Sequence, residues 1–307
     1  MDTEKTYTFK DLENIEFGGI PLAVVGHPIA HSISPAMHNA ALAKLREVDR
    51  RFSDWNYFRF DIPPEQFAKS LDLFHKRGFS GLNLTIPHKV QVMNLIQEVS
   101  SDALSMGAVN TLVRNESGYA GLNTDGYGLL RGLELDLGVS PQAMPCMILG
   151  SGGAARAAAV QCLLAGCERL YVGNRSPDRL LDLMTTLEKL SGNIPVQAFP
   201  LNELPQDLPE LGIVVNATAL GLQTEDPPPI DAEKLASGWK VYDMIYNPPT
   251  TALLNCARHC NLPVANGLSM LVHQGARSLE IWSQNKVDVA AMKTAAYRAL
   301  NIQNNHD

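Results

Sequence analysis

The chain has 307 residues, 45% of them hydrophobic, enough to build one large or two medium globular domains, each with its own core. Its 25 Lys and Arg stand against 32 Asp and Glu, a formal charge of −7, and no basic stretch is dense enough to follow a phosphate backbone, so no nucleic-acid partner is expected. No apolar run approaches the ~18 residues that span a bilayer, and the charged start MDTEKTYTFKDLENIEF lacks the apolar centre of a signal peptide, so neither a membrane partner nor export is expected.

The five cysteines form no CxxC pair. Cys256 and Cys260 lie four apart in an expected helix, a metal-compatible spacing, but no His/Cys pair completes the set. They read as small packed hydrophobes, no metal is expected, and a reducing, cytoplasmic location follows. The sequons at Asn83, Asn115 and Asn216 are chance matches without an export signal.

In chain order, strand-like and helical runs alternate. Leu22–Val25 is an apolar strand closed by Gly26, and a helix over 35–45 begins with proline in its first turn. A strand over 55–60 and a helix over 64–77, ended by Gly78, come next. A strand over 82–86 leads into a helix over 88–99, then strands over 108–113 and 119–122 flank the turn at 115–118. A second α/β unit begins after Pro145: a strand at 147–149, a glycine turn, a helix ending at Gly166, and strands at 170–172, 213–215 and 241–244. From Met270 the chain is helical to near its end. Such alternation marks an α/β protein.

The glycine turn, Gly150-Ser151-Gly152-Gly153-Ala154-Ala155, fits G-x-G-x-x-A. The first glycine makes the turn, the second lets a pyrophosphate approach the backbone, and Ala155 keeps helix and strand close. The anion then meets unpaired N–H groups at a helix start. Glycine turns also close plain βα units; a buried strand before and an Ala-rich helix after favour the nucleotide. At the end of the next strand the chain reads Gly173-Asn174-Arg175-Ser176, with Arg179 beyond, where an NAD enzyme usually carries an acid. Guanidinium donors suit a 2′-phosphate, which favours NADP; two solvated arginines are the alternative.

GLNLTIPHK, residues 81–89, delivers Lys89 to a helix start after Pro87. The positive helix end and partial burial both disfavour an ammonium, which suits a lysine that exchanges protons; an exposed first-turn lysine has the same spacing. Asp125 in GLNTDGYG is either a turn former or a partner that holds a lysine and a substrate hydroxyl in line. Ser32 and Ser34 present hydroxyls to one side of an extended stretch and suit a carboxylate or polyol, unless Ser34 caps the helix at Pro35.

With these motifs the sequence resembles the NADP-linked shikimate dehydrogenase family from about Leu22 to the last helix. GHPIAHSISPAMHN, GLNLTIPHK, GAVNTL, GLNTDGYG, GSGGAARA, GNRS, NATALGL, DMIYNPPTTALL and NGLSMLVHQGA stand in the family's order. The resemblance implies two domains with a cleft between them: an α/β substrate-binding domain over 1–124 and 267–307, and a Rossmann-like NADP-binding domain over 125–266. It implies Lys89 and Asp125 as catalytic residues. Ser32, Ser34, Thr85, Asn110, Tyr246 and Gln274 would contact a small-molecule substrate. Gly150, Ser151, Gly152, Gly153, Ala154, Asn174, Arg175, Ser176, Arg179, Thr218, Met244, Gly267 and Met270 would contact NADP.

The reaction implied is reversible, NADP-dependent reduction of 3-dehydroshikimate to shikimate, in chorismate and aromatic amino-acid biosynthesis. Ser151, Ser176 and Ser269 depart from the family's usual alanine, threonine and glycine, and the first 20 or so residues match nothing assignable. A quinate/shikimate dehydrogenase with dual substrate or NAD use would alter the serine pair or the arginine loop. A folate-type methylene dehydrogenase would lack the substrate motifs, and an NADP-sensing binding module would not need Lys89 and Asp125. Monomer and homodimer both remain open.

Overall fold

The computed structural model describes residues 1–302 and divides into two compact units, one of residues 1–124 plus the stretch from Val272, the other Asp125–Leu271.

The first unit is built on a seven-stranded sheet. In chain order its elements are β1 (Thr6–Thr8), α1 (Phe9–Asn14), β2 (Ile20–Gly26), α2 (Ser34–Val48), β3 (Trp55–Asp61), α3 (Pro64–Lys76), β4 (Gly81–Leu84), α4 (His88–Gln91), β5 (Glu98–Val99), α5 (Ser101–Met106), β6 (Thr111–Arg114) and β7 (Tyr119–Leu122). The strand order is β1-β3-β2-β4-β6-β7-β5; β6 runs antiparallel to both β4 and β7, and the other pairs are parallel. Central β2 and β4 are buried almost throughout, as parallel strands covered on both faces must be.

In β3 the period of two sends Phe58 and Phe60 to one face and Tyr57 and Arg59 to the other. The phenylalanine face meets Phe67, Leu71 and Phe74 of α3, spaced to fall on one side of that helix, in an aromatic core. Phe60 and Phe74 meet edge to face at 4.9 Å.

The N-terminal segment that sequence reasoning left without a place is part of this unit. Thr6 pairs with Arg59 in parallel register, which makes β1 the outer strand. Thr8 and Asp11 form a reciprocal capping box at the start of α1. Tyr7 and Phe17 are buried against Phe58 and Phe60, with Tyr7 5.3 Å from Phe17 and 5.8 Å from Phe58.

The second unit has α6 (Asp125–Leu137), β8 (Pro145–Leu149), α7 (Gly153–Leu164), β9 (Arg169–Asn174), α8 (Pro177–Leu190), β10 (Val196–Pro200), β11 (Leu211–Asn216), β12 (Gly238–Asp243), α9 (Ala252–His259) and β13 (Val264–Asn266). All six strands are parallel, in the order β10-β9-β8-β11-β12-β13. Counted from β8 this is 3-2-1-4-5-6, the doubly wound order, whose ligand crevice opens at the carboxyl ends of β8 and β11. Helices α10 (Leu268–Ser283) and α11 (Val289–Ala299) complete the described chain.

Three expectations need correction. The helix expected over 88–99 is one turn, α4, followed by a 3-10 turn over Val92–Asn94 and the short strand β5. β-Branched Val90, Val92 and Ile96 weaken a helix there, and parallel pairing of Glu98 and Val99 with Ala120 and Gly121 draws the chain into the sheet. The return to the first unit, expected at 267, comes at 271/272. The first turn of α10 is still tied to the second unit, by Ser269 Oγ donating to Asp136 at 2.9 Å and Met270 N–H to the Tyr242 hydroxyl at 3.3 Å. The last helical stretch is also broken into two, between Ser283 and Val289.

Candidate active site

In the first unit, the chain after β2 turns through a Ser32 N–H to Ile29 carbonyl bond and enters α2 at Ser34. Ile33, not Ser34, stands at the capping position, and no side chain caps the helix. The two serine hydroxyls lie 3.2 Å apart, Ser32 donating to Ser34. Below them His38 is fully buried: Nδ1 donates to the Ser34 carbonyl at 2.9 Å and the ring stacks on Tyr57 at 3.9 Å. Since a carbonyl only accepts, Nδ1 carries the proton. Nε2 has no hydrogen-bond partner among the described residues, and burial pushes the imidazole down to about 4, so it is neutral.

The segment after β4 leaves the ladder at Thr85, whose N–H donates to the Val25 carbonyl at 3.0 Å. His88 is buried in the next turn, stacked on Phe67 at 4.0 Å with Nε2 2.8 Å from the Ile62 carbonyl, and burial lowers its pKa. Half-buried Lys89 follows, and its carbonyl accepts from Val109 N–H at 2.8 Å. Lys89 thus sits in a single helical turn, α4, and not in the longer helix the sequence suggested.

A buried polar network holds Asn110 and Gln274. Asn110 Oδ1 accepts from Thr124 N–H at 2.8 Å and from the Thr111 hydroxyl at 2.9 Å. Its amide nitrogen therefore faces Thr124 Oγ1 at 3.0 Å and Gln274 Oε1 at 3.2 Å. Behind it, the Tyr57 hydroxyl donates to Asn83 Oδ1 at 2.7 Å, and Asn83 Nδ2 donates to Ser278 at 2.9 Å and Thr111 at 3.2 Å. Burial keeps the Tyr57 phenol protonated, so the donor direction at this end is set.

Sequence reasoning missed Tyr57, Asn83, Thr111, Thr124 and Ser278. One signal was present: Asn83 has the parity of Thr85 in a strand, so both face one side, and an amide inside an apolar strand needs polar partners.

In the second unit, Gly150 ends β8 with φ +116°, a left-handed conformation, and its N–H donates to the Gly173 carbonyl at 2.7 Å. Gly152 precedes α7, which has no side-chain cap, so its first N–H groups remain for a ligand. A cavity of about 540 Å³ brings together Gly150, Ser151, Gly152, Asn174, Arg175, Arg179 and Thr218, with Leu201, Leu220 and Leu222 as apolar wall. Gly153 and Ala154 follow on α7 without lining it, and Ser176 holds the Asn174 amide through its carbonyl at 3.0 Å. Arg175 and Arg179 are exposed and have no hydrogen-bond or ion-pair partner among the described residues. Unpaired N–H groups at one end and unengaged guanidinium groups at the other fit a dinucleotide carrying an extra phosphate.

Thr218 is fixed by Asn216, which accepts from its hydroxyl at 2.7 Å and its N–H at 3.1 Å. Asn216 in turn donates to buried Asp243 at 3.0 Å, and Asp243 also accepts from Thr251 at 2.6 Å and Ile245 N–H at 3.0 Å. Burial outweighs these bonds and raises the Asp243 pKa. Met244 and Gly267 meet beyond β12, where a Cβ on Gly267 would lie 2.1 Å from the Met244 carbonyl, so only glycine fits. Met270 is buried in the first turn of α10. Tyr246 is half-buried with its phenol pKa raised by burial, and Asp125 is the first residue of α6; both belong to the second unit.

Residues 24–112 match the model for the shikimate dehydrogenase substrate binding domain, and 267–297 match that for the shikimate 5'-dehydrogenase C-terminal domain. A shikimate dehydrogenase (NADP(+)) from Symbiobacterium thermophilum is 42% identical over 288 residues, 92% of this chain and 95% of the relative. The chain belongs to the shikimate dehydrogenase family.

The family's solved structures share its architecture. A shikimate dehydrogenase crystallised with NADP+ superposes with a TM-score of 0.82 at 32% identity, over 92% of this chain and 96% of that one. The Thermus thermophilus enzyme, in complex with NADP(H) and shikimate, gives 0.79 at 37% identity over 92% of this chain and 100% of its own. Among the described residues no helix is long and apolar enough to cross a membrane.

Proposed function

We propose that the chain is an NADP-dependent oxidoreductase that interconverts 3-dehydroshikimate and shikimate in chorismate biosynthesis. The observation that carries this beyond family membership is the cavity in which the glycine turn and the two unengaged arginines meet. It suits an anion at the helix start and a second phosphate at the guanidinium pair. NADPH supplies the hydride. The chain's own residues bind, orient and exchange the proton.

Ser32 and Ser34 hold the substrate carboxylate with two hydroxyls already in contact with each other. Thr85, Asn110 and Gln274 hold ring hydroxyls, and the network behind Asn110 keeps its amide from flipping. Lys89 gives its proton to the substrate oxygen as that oxygen gains charge, and recovers it in the reverse direction. Asp125 accepts from the substrate hydroxyl and keeps it in line with Lys89. Tyr246 completes the substrate contacts, while Asn174, Ser176, Met244, Gly267 and Met270 extend the cofactor contacts. A reducing cytoplasm suits five free thiols.

Initial rates with shikimate and quinate, each against NADP and NAD, test the reading. Shikimate with NADP is expected to be the fastest pair by at least tenfold. Quinate or NAD preference would replace it with the dual-substrate alternative, and binding of NADP without shikimate-dependent NADPH formation would leave a sensing module.

A further inference from the structure

Arg59 occupies a position that the reaction as described does not use. It lies on β3 on the same face as Tyr57, beside Thr6 of the outer strand. Its guanidinium has three acceptors, two in the N-terminal segment and one in the turn after β2. Nη1 donates to the Ser32 carbonyl at 2.7 Å, Nε to Thr6 Oγ1 at 2.8 Å, and Nη2 to the Glu4 carbonyl at 2.7 Å. All three are neutral, and no carboxylate pairs with Arg59 among the described residues. A positive charge is thus held, unneutralised, one carbonyl away from the serine pair.

The segment holding it is itself anchored, by β1 pairing, by the Thr8–Asp11 capping box, and by Tyr7 and Phe17 in the aromatic core. This segment lies before residue 24, where the family's substrate-domain model begins to match.

We infer that Arg59, clamped by the N-terminal strand, is a positioning residue for the substrate carboxylate, and that the N-terminal segment serves the site through it. Two effects act together. The planar fork fixes the Ser32 backbone, and with it the direction of the Ser32 hydroxyl. The unpaired charge lowers the energy of an anion brought to Ser32 and Ser34, in surroundings less screening than water. The inference rests on the proposed role of the serine pair.

Steady-state kinetics of five variants, one of them double, separate these ideas. Arg59→Met keeps the apolar stem but loses the fork and the charge. It is expected to raise the KM for shikimate about tenfold, with kcat and the KM for NADP within twofold of the parent. Arg59→Lys restores the charge alone and is expected to recover part of the loss. A merely structural role would lower Tm and leave the ratio of the two KM values unchanged, which overturns the inference.

In a Ser32→Ala background, Arg59→Met is expected to add only the part of the loss that Arg59→Lys recovers, because the hydroxyl that the fork orients is already gone. A full tenfold addition there would mean that Arg59 does not act at Ser32. If Ser32→Ala by itself leaves the shikimate KM untouched, the serine assignment fails first, independently of Arg59. Thr6→Val removes one of the three bonds without opening the core, and a two- to threefold rise in the shikimate KM is expected. No rise at all would overturn the part assigned to the N-terminal segment.

Discussion

Lys89 and the arginines of the cavity beside the glycine turn are the residues at which the proposed chemistry is most directly tested. Lys89 is half-buried, with its backbone tied to Val109, so truncation to alanine removes the amine without freeing the loop. Lys89→Ala is expected to lower kcat by about 10²–10⁴ with little change in either KM. Near-normal turnover in initial-rate assays would remove it from proton transfer. Arg175 and Arg179 have no protein partner to lose among the described residues, so replacing both by alanine carries little stability cost. Hydrogen bonds to charged groups are worth roughly 1.5–3 kcal/mol each, so the pair is expected to weaken NADP by at least about a hundredfold and NAD only slightly. Equal losses for both cofactors, measured by fluorescence titration, would count against a 2′-phosphate contact. Both arginines were legible in the sequence because they replace an expected acid at a strand end. The Tyr57–Asn83–Thr111–Ser278 chain was not legible, since its hydrogen-bonded partners lie up to 195 residues apart and only folding makes them neighbours.

Among the elements, β1 and α1 were invisible to motif reading because no motif lies in them, yet they complete a core. Phe17 sits among Tyr7, Phe58, Phe60 and Phe79, at centroid distances from 5.2 to 5.4 Å. Phe17→Ala is expected to cost about 3–5 kcal/mol of stability, by lost transfer energy and a cavity that aromatic rings fill poorly. Denaturant unfolding would show it as a lower midpoint; a change below about 1 kcal/mol would mean that the segment is peripheral. The opposite error occurred at α4. Local pattern supported a helix to Val99, but two residues of sheet pairing outweighed propensity. Glycine turns and proline starts were read correctly, at Gly78 and at the start of α3, because their conformational limits are local.

For the molecule as a whole, stability depends on pH through groups that folding buries. His38 titrates near 6.5 when unfolded but only at about 4 in the native state. Between those values the unfolded chain binds the extra proton, so this contribution is complete above pH 6.5 and is lost as pH falls toward 4. The shift corresponds to about 3 kcal/mol. His88, lowered for the same reason, adds with the same sign. Buried Asp243 acts oppositely: its raised pKa favours the protonated native state, so its contribution declines as pH rises above the ordinary carboxylate value. Unfolding curves at about pH 7 and about pH 4.5 are expected to differ by a few kcal/mol, and His38→Asn should flatten most of that difference. An unchanged slope in the variant would place the pH dependence elsewhere.

Backbone rules and charge types act within a few residues, which is why the linear chain alone was enough for the α/β class, the glycine turn at Gly150 and the motifs of its family. Which polar groups end up buried together is another matter, because that depends on contacts closed across tens to hundreds of residues. The place of the N-terminal segment, the single turn that carries Lys89, the return of the chain at Val272 and the amide network behind Asn110 all follow from such contacts. Each trades local propensity for burial and pairing energy that exists only once the sheets have formed.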